Sequence, residues 1–426
     1  MAVRSATDRS SRLLEFLRTE EASGVFLLAA ALVALVWANS GFAEAYHQLW
    51  STIATLGIGS VTISLDLQGW VNEGLMTLFF LVVGLEIKRE VTTGELRDPK
   101  TLALPIMAAI GGMVVPAGIF LIVNVGNGTA DGWGIPVATD IAFALGILTL
   151  AASRAPVSVR SFLLTLAIVD DIGAILLIAV FYSGGLSAGW ILTAAAIVAL
   201  LFLMRIVRVT STTAYVLLGI ALWVALFESG VHPTLTGVVL GLMAPAEPIA
   251  RSTRAGTKVR QVLEEAAEQP DSEADAYWIA VGEVSRTAVS PLDRAEASLH
   301  PCTSRFVVPT FALANSGVEL SGGAVAEAVT SPLGLGILLG LTLGKPIGIG
   351  GALWATTRMR LGRLPDEFTP RMVLGVALLG GVGFTIALFI AELALAGDGE
   401  IATATLAVLM ASTIAGLMGG AVLRTR

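Results

Sequence analysis

The sequence has few of the residues from which disulfides, metal centres and charged surfaces are built. Cys302 is its single cysteine among 426 residues, which excludes an internal disulfide and a cysteine-based metal site. The three histidines, His47, His232 and His300, are far apart and lack the spacing of zinc ligands. Only 14% of the residues are charged, whereas a soluble domain has about 25%. A soluble globular protein is therefore excluded.

The chain consists mainly of long apolar runs, with 55% hydrophobic residues. We predict one all-α polytopic membrane domain over residues 1–426, with an N-terminal interfacial segment at 1–22 and a hydrophilic cytoplasmic loop at 247–303. Alternation over residues 56–68 predicts a small extramembrane β-hairpin. The twelve predicted membrane-spanning segments are approximately 23–40, 70–87, 101–124, 134–152, 161–182, 186–204, 212–229, 231–246, 304–318, 331–353, 371–396 and 401–423.

Lysine and arginine are distributed asymmetrically around these segments. Of 26 such residues, 25 lie at the termini or in and beside the loops that follow segments 2, 4, 6, 8 and 10, and the opposite loops have none. Because cytoplasmic loops carry the excess of these residues, the pattern predicts an even number of spans with both termini in the cytoplasm. The remaining cation, Lys345, lies inside segment 10.

Four strong charges lie at predicted membrane depth: Asp140, Asp170, Asp171 and Lys345. A charge at the bilayer centre costs about 2.5–3.5 kcal/mol on the insertion scale, so such residues indicate function. Adjacent helical residues point about 100° apart, so the two neighbouring aspartates need not share a partner. We expect one to pair with Lys345 and the other to face a cavity, where it holds either a proton or a small cation. That is the minimum chemistry of a proton-coupled cation exchanger, and an inert salt bridge is the alternative for the paired aspartate.

Two segments are predicted to be broken within the membrane. In segment 4, Pro136 removes a backbone donor shortly before Thr139 and Asp140, and segment 11 has three glycines within residues 380–383. Interrupted helices in two halves of a transporter indicate an ion site, and segments 3–5 and 10–12 are the expected inverted repeats. Asp140 is expected to neutralise exposed helix N-termini, and Lys345 the C-termini.

Charged residues also lie at the cytoplasmic ends of segments 2 and 9. They are Glu86, Arg89, Glu90, Glu296 and His300. Such a cluster is usually a topology anchor. The functional alternative is a funnel that collects protons and cations or senses pH.

Seven stretches of the chain resemble the NhaA-type sodium/proton antiporters. They are residues 83–90, 138–146, 167–175, 230–237, 312–317, 342–348 and 380–385. Because they follow one another over nearly the whole chain, the resemblance is specific. It implies a multi-pass protein of the bacterial inner membrane that exports Na⁺ or Li⁺ in exchange for protons. It also implies inverted repeats, crossed interrupted helices 4 and 11, no cofactor, and a homodimer with contacts through the hairpin.

The resemblance further implies roles for the candidate residues. Asp171 matches the family's ion-binding acid, and Asp170 matches the acid that pairs with a lysine, here Lys345. Thr139 and Asp140 match the Thr-Asp pair at the helix break, and Na⁺ is expected to bind Asp171, Asp170 and Thr139. The family's pH-response residues match Glu86, Arg89, Glu90 and Glu296. Ala297 stands where some members have a histidine, which leaves the pH profile open.

Other functions fit the residues less well. An intramembrane aspartyl protease typically has a Gly-x-Gly-Asp motif, which is absent, and residues 340–346 lack the length and the Ser/Thr of a P-loop. A sodium-coupled symporter of an organic anion on a similar fold stays open as the alternative, although no further buried cation is available for an anion. We predict secondary active transport by alternating access, electrogenic and pH-regulated, with neither enzymatic activity nor a nucleic-acid partner.

Overall fold

The computed structural model describes most of the chain. The described residues are 21–58, 61–94, 99–152, 155–207, 209, 211–248, 257–262, 264, 278, 281–282, 284, 288–365 and 367–424. Most of the N-terminal interfacial segment expected at residues 1–22 lies outside them, as does much of the hydrophilic stretch 247–303. The last part of the hydrophilic stretch 247–303 is helical.

Helices dominate the described residues and are numbered in chain order. They are α1 (Glu21–Ala38), α2 (Ala43–Trp50), α3 (Leu67–Thr92), α4 (Pro99–Val123), α5 (Ile141–Ala151), α6 (Val157–Phe181), α7 (Ala188–Ile206), α8 (Thr212–Ser229), α9 (Leu235–Met243), α10 (Pro291–Cys302), α11 (Val308–Asn315), α12 (Gly322–Thr330), α13 (Pro332–Arg358), α14 (Pro370–Leu379), α15 (Phe384–Ala394) and α16 (Asp398–Arg424). A 3₁₀ helix, Ala130–Val137, precedes α5, and a π-helical stretch, Thr303–Val307, joins α10 to α11.

The predicted β-hairpin is present between α2 and α3. Strands β1 (Ile53–Ile58) and β2 (Val61–Asp66) are antiparallel, with Ile53 opposite Asp66 and Ile58 opposite Val61. The hairpin begins three residues before the predicted stretch and ends where α3 begins, at Leu67. Its alternating β-branched residues were therefore a correct indication of strand structure.

The described helices include seven that are long and apolar enough to cross a membrane, or up to ten spans if each of three bent pairs crosses once. Predicted segments 8 and 9 correspond to α9 and α11, which have only 9 and 8 residues. A helix needs about 20 apolar residues to span a bilayer. The chain is thus a multi-pass membrane protein, and the total of twelve spans stays a prediction.

Two groups of helices pack against each other. One contains α4, α5, α6 and α13 to α16; the other contains α1, α3 and α7 to α11. The groups meet along α1–α5, α3–α6 and α11–α15. The largest buried apolar cluster surrounds α15, whose side chains from Phe384 to Ala391 are all buried. Helix α15 therefore lies at the contact between the two helix groups.

A close glycine crossing holds α4 against α13. A Cβ added at Gly111 would lie 2.3 Å from the Gly348 carbonyl oxygen, and one added at Gly348 would lie 2.1 Å from that of Gly111. The two backbones can approach this closely only because neither glycine has a side chain. The crossing lies three residues from Lys345, whose side chain is buried between these helices and α6.

Candidate functional site

Both predicted helix breaks are present, and they meet. The 3₁₀ helix and α5 are bent by 40°, and α14 and α15 by 42°. The Asp140 backbone N–H donates to the Val382 carbonyl at 2.6 Å, and Thr139 Oγ1 donates to the Gly380 carbonyl at 2.7 Å. Unwound backbone at membrane depth needs partners inside the protein, and the two breaks supply them to each other.

Asp140 lies at the N-termini of both helices that follow the breaks. Its Oδ1 accepts the Phe143 N–H of α5 at 3.0 Å. Its Oδ2 accepts the Thr385 N–H of α15 at 3.2 Å and a short hydrogen bond from Thr385 Oγ1. Because helix N-termini are partly positive, one carboxylate stabilises both. The side chain is thus positioned by three donors.

Lys345 and Asp170 form a buried ion pair. Lys345 Nζ lies 2.7 Å from Asp170 Oδ2 and also donates to Thr139 Oγ1 at 2.9 Å. Lys345 Nζ donates to Thr139 Oγ1, which in turn donates to the Gly380 carbonyl at the C-terminal end of α14. The expected neutralisation of helix C-termini by Lys345 is therefore indirect in this structure.

Asp171 is in a different environment from its neighbour. Its side chain is 2% exposed, and no described residue donates a hydrogen bond to its Oδ1. It lines a cavity of about 510 Å³ between the two helix groups. The divergence of Asp170 and Asp171 on α6 therefore has the expected result, with one carboxylate paired and the other facing a cavity.

The cavity brings together residues that are distant in sequence. Its titratable lining consists of Glu86, Arg89, Asp140, Arg160, Asp171, Glu296 and His300. Arg89 and Glu296 form a short ion pair across α3 and α10, with 40% of the Arg89 side chain exposed. Four of the five predicted pH-response residues thus line the same cavity as Asp171. The hydrophilic residues of α10 are part of the site because α10 packs against α3.

Four predicted site residues lie outside the cavity lining: Asp170 and Lys345, which pair with each other, and Glu90 and Thr139. Glu90 is buried at the end of α3, where its carboxylate lies so close to Gly94 that a Cβ there would come within 2.3 Å of it. Thr139 is 3% exposed and is engaged with Lys345 and Gly380. A role for Thr139 as a Na⁺ ligand therefore requires the Lys345 contact to change.

Sequence reasoning did not single out as site residues several polar residues that line the cavity, among them Ser23, Arg160 and Thr385. Thr385 ends the glycine-rich motif 380–385, so its position just after a break was a usable signal. Arg160 precedes Asp171 by eleven residues, about three helical turns, which places both on one face of α6. No local pattern distinguishes Ser23.

The arrangement suits a cation that binds and leaves. Among the described residues, no group of three or more His, Cys, Asp or Glu side chains is arranged to hold a metal ion. The cavity instead offers carboxylate, hydroxyl and carbonyl oxygens, which hard cations prefer. A small number of anionic ligands favours reversible occupancy over a resident metal.

Comparison with known proteins gives matches over nearly the whole chain. The family model "Na+/H+ antiporter 1" matches residues 14–423. The Na(+)/H(+) antiporter NhaA of Oleidesulfovibrio alaskensis is 46% identical over 418 residues, which is 96% of this chain and 92% of the relative. NhaA 2 of Sorangium cellulosum is 44% identical over 416 residues, covering 96% and 89%. NhaA 1 of Clostridium beijerinckii is 39% identical over 416 residues, covering 96% and 94%.

Proposed function

The chain belongs to the Na⁺/H⁺ antiporter 1 family and is a sodium/proton antiporter, and we propose that Asp171 is the group at which the two ions compete. Membership places the chain among transporters rather than enzymes, and the ions are substrates rather than cofactors. The relatives are bacterial and the chain has several apolar spans, so it is a multi-pass inner-membrane protein. A sodium-coupled symporter of an organic anion is not supported.

The observation that carries the proposal is the environment of the Asp171 carboxylate. It is buried, it lines the cavity, and its Oδ1 receives no hydrogen bond from the described residues. A buried charge without a partner is costly, so either a proton or a cation stabilises it. Since one carboxylate does not bind both tightly at once, entry of Na⁺ expels the proton. That competition couples the two flows.

Asp170 and Lys345 supply a second step in this proposal. When Lys345 leaves Asp170, the freed carboxylate and the Thr139 hydroxyl become available as oxygen ligands for Na⁺ beside Asp171. A proton taken up at this pair makes the exchange electrogenic. The membrane potential then contributes about 2.3 kcal/mol per net charge per 100 mV. Alternating access follows if the two helix groups move relative to each other and expose Asp171 to one side at a time.

The cavity lining suggests how pH regulates the exchange. Arg89 and Glu296 link α3 to α10 by an ion pair, with Glu86 and His300 in the same cavity. Protonation of Glu296 removes the charge that holds Arg89, so acid conditions loosen this contact. We also propose that both termini are cytoplasmic, on the side rich in Lys and Arg, and that the hairpin forms contacts in a homodimer.

Transport in everted membrane vesicles tests the function. The vesicles come from cells that lack their own antiporters, carry an acid interior and contain a pH-sensitive dye. Addition of NaCl or LiCl should alkalinise the interior, and KCl shows the selectivity. Asp171→Asn should abolish the response, whereas Asp131→Asn, which neutralises an exposed acid, should leave it unchanged. A response that survives in Asp171→Asn would exclude Asp171 as the coupling group.

A further inference from the structure

An acid on α15, Glu392, is not used by the cycle proposed above. Glu392 lies seven residues after Thr385, about 10 Å further along the same helix. It is partly buried and lies near the hairpin, on the side whose loops have no lysine or arginine. By the distribution of positive charge, this is the outer side of the membrane. Ionisable residues at such positions in transporters are expected to have a function.

Glu392 is held by a neutral donor. Gln68 Nε2 donates to Glu392 Oε1 at 3.1 Å and to Asn315 Oδ1 at 3.0 Å. Asn315 and Asn72 exchange two further hydrogen bonds, at 2.8 and 3.1 Å. Within the described residues Glu392 forms no ion pair. It can therefore gain or lose a proton without breaking a salt bridge. The network joins α3 and α11 of one helix group to α15 of the other.

Among the residues that the structure describes, the charged and titratable groups that face Glu392 are acidic or neutral. They are Asp66 at the end of β2, Asp398 at the start of α16 and the Tyr46 hydroxyl of α2. Clustered negative charge raises the local concentration of protons at a protein surface. Protons from the outer side are therefore concentrated where Glu392 lies.

An aromatic layer packs around the middle of α15. Phe389 lies between Thr385 and Glu392 on α15, and its ring centroid is 5.4 Å from that of Phe80 and 6.2 Å from that of Phe311. All three side chains are buried. These buried rings thus pack around the part of α15 that lies between Thr385, which lines the cavity, and Glu392.

We propose that Glu392 is the outer proton-accepting residue of the exchange. It takes a proton from the outer medium and passes it toward Asp171 when the layer of Phe80, Phe311 and Phe389 opens. The Gln68 hydrogen bond persists in both protonation states, because the carbonyl oxygen of a carboxylic acid still accepts it. This inference rests on the proposed antiport.

The test measures how exchange depends on protons at the outer face, which everted vesicles enclose. Vesicles are loaded at graded internal pH, the external pH and the membrane potential are fixed, and initial uptake of ²²Na⁺ is followed. Glu392→Gln should need at least fivefold more internal protons for half-maximal uptake, with the KM for external Na⁺ unchanged. Glu327→Gln, which neutralises an exposed acid on the same side, should behave as the wild type.

Two further variants distinguish proton acceptance from a structural role. Gln68→Leu removes the hydrogen bond but keeps the acid, so its proton dependence should stay within twofold of the wild type. If Gln68→Leu reproduces the shift of Glu392→Gln, or if Glu392→Gln shows none, the proposal is wrong. Should Glu392→Gln not fold, Glu392→Ala is held to the same criterion. Absence of uptake in the wild type would instead overturn the antiport itself.

Discussion

Lys345 Nζ and Asp170 Oδ2 lie 2.7 Å apart, and neither side chain is more than 2% exposed. Their attraction is strong because little water screens it. Each charge also needs the other to offset the desolvation penalty of its burial. The pair connects α6 to α13, and Thr139 extends the contact to the helix break. Replacing one partner is therefore expected to lower the free energy of unfolding more than replacing both.

Lys345→Gln should lower the stability of the purified protein, because it leaves Asp170 buried without its cation. Breaking a buried pair by removing one member costs about 3–5 kcal/mol. The double variant Asp170→Asn with Lys345→Gln should recover part of this loss. Thermal unfolding in detergent measures the effect, with the more exposed Lys88→Gln as control. A single variant as stable as the wild type would contradict the structure.

Thr385→Val should weaken the junction of the two breaks. It keeps the shape of the side chain but removes the hydroxyl that donates to Asp140. Hydrogen bonds to charged groups contribute about 1.5–3 kcal/mol, so a lower melting temperature and a higher KM for Na⁺ are expected. Thr413→Val is the matched control, since Thr413 is exposed and bonds only within its own helix, to Leu409. Equal effects of the two substitutions would mean that the Asp140 contact has no special role.

Gly348→Ala should separate α4 from α13. The added Cβ would lie 2.1 Å from the Gly111 carbonyl oxygen, so the backbones must move apart and displace Lys345. Gly350 lies on the same helix with no atom within 4 Å of such a Cβ. Gly350→Ala should be neutral or stabilising, by up to about 1 kcal/mol from helix propensity alone. The comparison needs melting temperatures and initial exchange rates of both variants, and equal losses would disprove the tight crossing.

Glu296→Gln should change the pH dependence of exchange more than it changes stability. The Arg89 side chain is 40% exposed, and a solvent-screened pair of this kind contributes about 0–1 kcal/mol. Removing the Glu296 charge mimics its protonation and frees Arg89 in the cavity. We expect the pH of half-maximal activity to move while the melting temperature stays nearly constant. The exchanged pair Arg89→Glu with Glu296→Arg should restore part of the wild-type profile, and an unchanged profile in Glu296→Gln would exclude this pair from regulation.

Local sequence was sufficient where covalent geometry decides the outcome. Pro136 and the glycines of residues 380–383 indicated the two breaks, and the alternation near residues 56–66 indicated the hairpin. Both are effects of a few neighbouring residues on backbone conformation. Segments 8 and 9 were less predictable, because the apolar runs of α9 and α11 are short and their packing partners are distant in sequence.

Composition and charge pattern by themselves determined that this chain is a membrane protein with buried acids and one buried lysine, because a bilayer penalises each unpaired charge wherever the chain folds. Residue type and spacing did not distinguish Asp170 from Asp171, which are identical and adjacent. The family resemblance implied that Asp170 is the partner of Lys345, and the tertiary structure shows that pair. It also brought Thr385 to Asp140 across 245 residues and packed Phe389 against Phe80 and Phe311. These relationships depend on how α6, α13 and α15 cross, and no local pattern contains that information.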